Sequence, residues 1–332
     1  MSRMQQQEGR SLRSLITIGA ALATSPLSAQ TGDWREATIE ADELIAKSRR
    51  LGGAVHAHEA RELLAPWWDI KNPPIKIRLQ RAALLQRDHH FEEALTDINL
   101  ALQANPKSAE AWLMKTTILT VMGRYEEARR ASIPLFGLAP PLVALTAGTA
   151  PTSSNGELLK SYEFLNEASK KHKDAPPAVK AWTQTALAEM AVRLGRITAA
   201  DEHFRSALLI DQSSPYLLNA FAYFLLDQKK PERVLDLLKN VKEELPLPWL
   251  LAENSLNGNS AEYERILKIF EHDKKKAHLV HGHSHGREEA IFFLHLKNDP
   301  REALHQAQEN WQSQKEAADL IILLQASIAA ED

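Results

Sequence analysis

One phrase, a turn followed by an acidic pair and a small residue that opens a helix, recurs along this chain at fixed spacing. It reads HHFEEALTDI at residues 89–98 and MGRYEEARRA at 122–131, and KKPERVLDLL at 229–238 answers both with Glu-Arg and Val in the same places. Aligned on the residue after the acidic pair, the interval from Ala94 to Ala128 equals that from Pro106 to Pro140. Ala200 and Val234 repeat it, and Pro246 ends that unit as Pro106 and Pro140 end theirs. The stretch from Ala128 to Ala200 is slightly longer than two such intervals, which leaves room for one irregular unit. Internal periodicity of this length restricts the fold to stacked, structurally equivalent units.

Each unit predicts two helices. In the stretch 109–140, Trp112, Thr116 and Leu119 recur at helical spacing and share one helical face. Gly123 supplies a residue able to take positive φ at the end of that helix. Tyr125, Ala128 and Leu135 then form the inner stripe of a second helix, which Pro140 stops. The small Ala128 permits close approach of two antiparallel helices. Composition agrees: strong helix formers dominate, aromatics are 6%, and the 13 Gly and 16 Pro fall between periodic segments. The expected class is all-α.

With these residues in place the chain resembles the tetratricopeptide repeat, a helix–turn–helix of about 34 residues. The segments AEAWLMK, MGRYEEA and LAP carry the likeness in unit 109–142, although Lys115 and Thr116 stand where Leu-Gly is usual. Unit 75–108 matches through Ala82, Leu85, Phe91, Ala94, Ile98, Ala101 and Pro106. Unit 181–214 matches through Leu187, Ala188, Gly195, Ala200, Phe204 and Ala207, with Gln212 replacing the final Pro. Unit 215–248 matches through Phe221, Ala222, Leu225, Val234, Val241 and Pro246. The resemblance implies an α-solenoid, a right-handed superhelix that binds a protein or peptide on its concave face. It implies two units in 75–142, an irregular repeat with a flexible break at Ala150–Gly156 in 143–180, and two units in 181–248. Degenerate repeats and a capping helix fill 249–332. Residues 30–74 read as a half-repeat and cap, with Gly32–Ala46 as a second helix, 64–74 as a Pro-rich joint, and Trp67 and Trp68 covering the end of the stack.

By the same resemblance the first helix of each unit lines the concave face. The positions that then face a ligand include Lys76, Leu79, Ala83 and Arg87, then Glu110, Leu113 and Thr117. Further along they are Trp182, Thr185, Glu189 and Arg193, then Tyr216, Asn219 and Tyr223. Aromatic anchors beside a cation and an amide make the last two sets the richest, since such residues concentrate binding energy. The competing reading has Trp182 and Tyr216 packing between helices.

Residues 1–29 have the layout of a secretory signal peptide. Arg3, Arg10 and Arg13 precede an apolar stretch, Leu15–Ala23, and small residues lead to a cleavage position after Ala29, with Leu27 where a smaller residue is usual. Export to a periplasm or secretion is expected; a mitochondrial leader or an uncleaved cytoplasmic N-terminus are the alternatives. The apolar stretch is shorter than the roughly 20 residues of a membrane span. A formal net charge of −3 provides no global field for nucleic acid. Cysteine is absent.

One stretch suggests coordination chemistry. In HLVHGHSHGREEA, residues 278–290, His281, His283 and His285 alternate, so an extended loop would put three imidazoles on one side for a divalent transition metal such as zinc, nickel or copper. A His-rich hinge is the other reading. His56, His58 and Glu59 lack the two-His spacing of a helical zinc site, and His89 and His90 fall in a turn expected to face solvent. Phosphate loops, nucleophile elbows and calcium loops are missing from the sequence. The pairs Glu92-Glu93 and Glu126-Glu127 favour helix N-termini through the dipole and do not form a catalytic couple. The expectation is a non-enzymatic interaction scaffold without a resident cofactor. A metal-binding protein using the His281–His285 loop, or a self-associating structural protein, are the alternatives.

Overall fold

The computed structural model describes residues 33–258, 260–281 and 286–331, and these are helical almost throughout. The helices pair into antiparallel hairpins: α1 (Trp34–Ser48) with α2 (Ala54–Trp68), α3 (Ile75–Arg87) with α4 (Phe91–Ala104), and α5 (Ala109–Val121) with α6 (Tyr125–Ser132). After a short α7 (Leu135–Leu138) come α8 (Pro141–Ser154) with α9 (Leu158–Lys171), α10 (Pro177–Arg193) with α11 (Ile197–Ile210), and α12 (Pro215–Asp227) with α13 (Pro231–Leu238). α14 (Pro246–Leu256) packs on α15 (Ala261–His281). α16 (Gly286–Phe292), extended by a π-helical turn over Phe293–Lys297, packs on α17 (Pro300–Ser313), and α18 (Ala317–Ala330) closes the array.

Local chemistry sets the boundaries. Ser108, Ser214 and Asp299 cap α5, α12 and α17 by accepting backbone N–H bonds, and proline opens α8, α10, α12, α13, α14 and α17, where its missing N–H costs nothing. Pro134 ends α6 early, so Leu135 fills the core from the separate α7 rather than from the expected long second helix. At the turn between paired helices Gly123 takes φ +73°.

Small residues make the joints. Ala94, Ala128 and Ala200 are fully buried. The core runs as successive clusters: Ala41, Leu64 and Ile77; then Ala94, Ile98 and Ala128; then a large aromatic one in which Phe204 stacks on Phe221 at 5.0 Å. First helices pack on one another along the series α1, α3, α5, α8, α10, α12 and α14, whereas each second helix packs mainly on its partner and on the next first helix. First helices therefore form the tighter, inner layer, and the curved array is an α-solenoid.

Three expectations need correction. Trp34–Ser48 is a first helix, not a second one: it pairs with α2 and lies on α3, so a whole hairpin precedes residue 75. The expected joint at 64–74 hides the end of α2, with Pro66 inside the helix and Trp67 buried against α1 and α3. Arg78 and Arg81 reach this end from α3, sharing Asp97 and donating to the Lys71 and Trp68 carbonyls. The segment Ala150–Gly156 is not a break. Residues up to Ser154 belong to α8, and only Asn155 and Gly156 turn. Its polar composition hides a helix, because Thr152 and Ser153 return their hydroxyls to the carbonyls of Thr149 and Ala150, as Thr146 and Thr149 do earlier in α8 to Leu142 and Leu145.

The curvature brings distant turns together. Arg50, after α1, bonds Asp211 at 3.0 Å and the Ser213 hydroxyl at 2.5 Å, before α12. The Lys315 N–H donates to the Val121 carbonyl at 2.7 Å, and the Tyr125 hydroxyl donates to the Lys315 carbonyl at 2.9 Å. These bonds tie the α5–α6 turn to the α17–α18 joint, and the hairpins between form a circuit. His89, expected to face solvent, is half-buried at this seam, stacked on Phe91 and 3.3 Å from Gln314.

Candidate ligand-binding groove

The inner layer presents one concentrated set of polar groups, on α10 and α12. Tyr216, Asn219 and Tyr223 follow at intervals of three and four along the chain, so they share a face of α12. From α10, Glu189 meets them: the Tyr216 hydroxyl donates to Glu189 Oε1 at 2.5 Å. Arg193, one turn further along α10, donates to the Ser153 carbonyl at 3.3 Å and the Ser153 hydroxyl at 2.9 Å. Trp182 stands at the start of α10, 37% exposed, and Tyr216 is 56% exposed. Both rings keep part of their surface open to solvent.

Two of the groups are unsatisfied. Asn219 Oδ1 and Tyr223 Oη are shut off from solvent and have no hydrogen-bond partner. A buried polar atom left this way costs roughly 1–3 kcal/mol.

Electrostatics show how crowded the groove is. Burial pushes the Glu189 carboxyl up to about 7; the Tyr216 bond opposes the rise, Glu316 adds to it, and Arg193 and Arg287 oppose it. Burial likewise lowers Arg193 from its usual value. It holds the Tyr223 hydroxyl well above the usual phenol range, with Glu288 adding to the effect and Arg287 opposing it. Tyr216 is also raised, by burial first and then by Glu189 and Glu316. The ring is open to solvent and its bond to Glu189 lies at the surface, so burial acts on this hydroxyl less than on Tyr223.

The far side of the groove is built by residues that the repeat pattern does not mark. Arg287 at the start of α16 donates to Asp319 at 2.6 Å and pairs with Glu316. Burial disfavours its charge, but the two carboxylates outweigh that and hold the guanidinium above its ordinary value. Asp319 is almost wholly buried and also accepts from Asn310 at 2.8 Å and from the Glu316 backbone at 2.9 Å, completing a capping box on α18. The Glu-x-x-Asp spacing of 316–319 was the only sequence signal for this cluster. Tyr125, read as an inner-stripe residue, spends its hydroxyl on the closing bond to Lys315.

The other predicted positions lie elsewhere. Lys76 sits between Asp42 at 2.8 Å and Glu110 at 3.9 Å, and Arg87 is an exposed side chain that reaches the Ser48 carbonyl at 3.4 Å. Both belong to α3, apart from the α10–α12 cluster. Leu79 and Thr185 are core residues, 4% exposed each, and not groove-facing. His281 ends α15, while His283 and His285 lie outside the described residues, as do residues 1–29, where a leader is expected. Among the described residues no group of three or more His, Cys, Asp or Glu is arranged to hold a metal ion, and no helix is long and apolar enough to cross a membrane.

No family model matches the chain, and no curated protein matches it. Solved structures do. The crystal structure of the APC/C hetero-tetramer Cut9-Hcn1 is 16% identical with a TM-score of 0.48, covering 98% of this chain and 60% of that one. A tetratricopeptide repeat protein from Parabacteroides merdae is 13% identical with a TM-score of 0.40, covering 87% and 99%. The P58(IPK) TPR domain is 14% identical with a TM-score of 0.29, covering 90% and 99%. The chain thus spans about three fifths of the length of the first of these. The fold assignment stands on the helical pairs described above.

Proposed function

We propose that the protein is a non-catalytic binding scaffold whose inner groove, at α10 and α12, takes an extended segment of another protein. The observation that carries this reading is the pair of enclosed, unpartnered oxygens on α12, Asn219 Oδ1 and Tyr223 Oη. A ligand reaches them once the neighbouring side chains move aside, and the bonds it then supplies return a cost the free protein bears. Beside them, the exposed faces of Trp182 and Tyr216 offer rigid apolar area, the usual source of affinity in such surfaces. A stack of hairpins presents this wall as an elongated track, which suits an extended chain better than a compact small molecule.

The test is a crosslinking pull-down from native cell extract with the wild-type protein and with Trp182→Ala and Tyr223→Ala. The expected result is a prey captured by the wild type and reduced at least tenfold by each substitution. A prey held equally by all three forms would place the binding surface elsewhere.

A further inference from the structure

We propose that the outer face of α18 is a self-association surface, on which a second copy of this chain lays its own α18 antiparallel across a twofold axis at Leu324. The inference is independent of the groove on α10 and α12.

α18 closes the array, so one of its sides has no further hairpin to cover it. Its inner side is packed: Ile322 and Ala326 are buried, and Leu323 lies with them against α16 and α17. Asp319, the one charged residue within the helix, is buried and paired with Arg287. What remains outside is apolar. Leu320, Ile321, Leu324 and Ile328 are 42, 53, 52 and 78% exposed, and Gln325 is the one polar side chain among the exposed positions of the helix.

The last helix of a stack ordinarily turns a polar face to water, because nothing follows to bury it. The other end of this array does so. There α1 exposes Arg35, Glu36, Glu40 and Glu43, and Ile39 is its one large apolar side chain in solvent. The two ends are therefore not made to meet head to tail, since α18 has no partner for the charges that such a contact would strip of water. An uncharged face fits itself. Two copies meet on it without like-charge repulsion and leave no buried charge unpaired.

Register supports the same occupant. Leu320, Leu324 and Ile328 form one row at i±4 spacing, and such rows interlock in the commonest class of helix crossing. The row is symmetric about Leu324. A copy turned about that point sets Leu324 on its own counterpart and Leu320 against Ile328 of the partner subunit, with the two helix dipoles opposed. Area sets the strength. One helix pair buries less than the roughly 1,200 Å² of a standard interface, so the dimer is weak, with a dissociation constant on the order of 10–100 μM.

The experiment is sedimentation equilibrium of the full chain from about 1 μM to about 500 μM, a range that brackets that constant. The expected result is a mass that rises from monomer to dimer. Leu324→Glu, at an exposed position outside the core, should weaken the association at least tenfold. Because the chain has no cysteine, single introduced thiols report the pairing directly. Under oxidation by copper phenanthroline, Leu324→Cys should form a disulfide-linked dimer. Leu320→Cys should not, because its two copies lie about 12 Å apart along the helices, beyond the disulfide reach of about 7 Å. A mixture of Leu320→Cys and Ile328→Cys should cross-link. A monomer at every concentration would overturn the proposal. Slow reaction of Leu324→Cys with maleimide would then assign the face to this chain's own residues 1–32, and fast reaction would leave it to a different protein. A dimer indifferent to Leu324→Glu, or Leu320→Cys linking as readily as Leu324→Cys, would overturn it equally.

Discussion

Glu189 shows how much one residue of this groove is shaped by its neighbours. Its folded-state carboxyl is raised to about 7 from an ordinary value of 4.5, by burial first, with Glu316 adding to the rise and Tyr216, Arg193 and Arg287 opposing it. The folded protein therefore holds a proton that the unfolded chain releases earlier. The associated stabilisation is complete below about pH 4.5 and is lost as pH rises through about 7. Each tenfold change in proton affinity is worth about 1.4 kcal/mol, so the effect, reduced by solvent in the groove, amounts to roughly 1–3 kcal/mol. Urea unfolding at pH 5 and pH 8 should show the wild type losing that much more stability than Glu189→Gln, which has no proton to release there. Parallel pH profiles for the two proteins would contradict the assignment.

At the scale of the element, the hairpin joint decides stability. Ala128 on α6 is fully buried in the cluster that also holds Ala94, Ile98 and Ile118. A larger side chain there forces paired helices apart, and Ala128→Leu should destabilise by about 1–3 kcal/mol. Thermal melting monitored by circular dichroism measures it; an unchanged midpoint would mean that the joint is looser than its burial indicates. These joints were legible in the sequence because a small residue at a fixed register has few other uses. The helices α2 and α8 were not legible. Proline inside α2 and threonine-rich composition in α8 are signals of loops, and both are overridden by packing. Pro66 falls in the last turn of α2 and forfeits a single backbone bond, and the α8 hydroxyls return their bonds to their own helix.

For the molecule as a whole, the seam between Lys315 and the α5–α6 turn is the contact that closes the circuit. Lys315 makes two hydrogen bonds there, from its N–H to Val121 and from Tyr125 to its carbonyl, its aliphatic part lies against Gly123, and Gln314 meets His89 beside them. At about 0.5–1.5 kcal/mol per bond, the two bonds of Lys315 are worth roughly 1–3 kcal/mol, little enough for the solenoid to open without unfolding. The double variant Tyr125→Phe/Lys315→Pro removes one donor on each side. It should raise the radius of gyration measured by small-angle X-ray scattering while leaving helical content unchanged. An unaltered scattering profile would show that the curvature is fixed by the helix joints alone.

The repeating unit is readable from the chain alone. The fixed interval between units, the small joint residues and the helix-starting acidic pairs act over one or two turns of chain, so they can be read locally. The resemblance built on them put Glu189, Arg193, Tyr216, Asn219 and Tyr223 on first helices, and in the structure these residues lie on α10 and α12, with Tyr216 bonded to Glu189. How far the stack bends, and what faces that wall, emerged only with the folded molecule. The meeting of Tyr125 with Lys315, of Arg287 with Asp319, and of Glu189 with the field of Glu316 depends on small rotations accumulated over many hairpins. No single stretch of sequence encodes that sum.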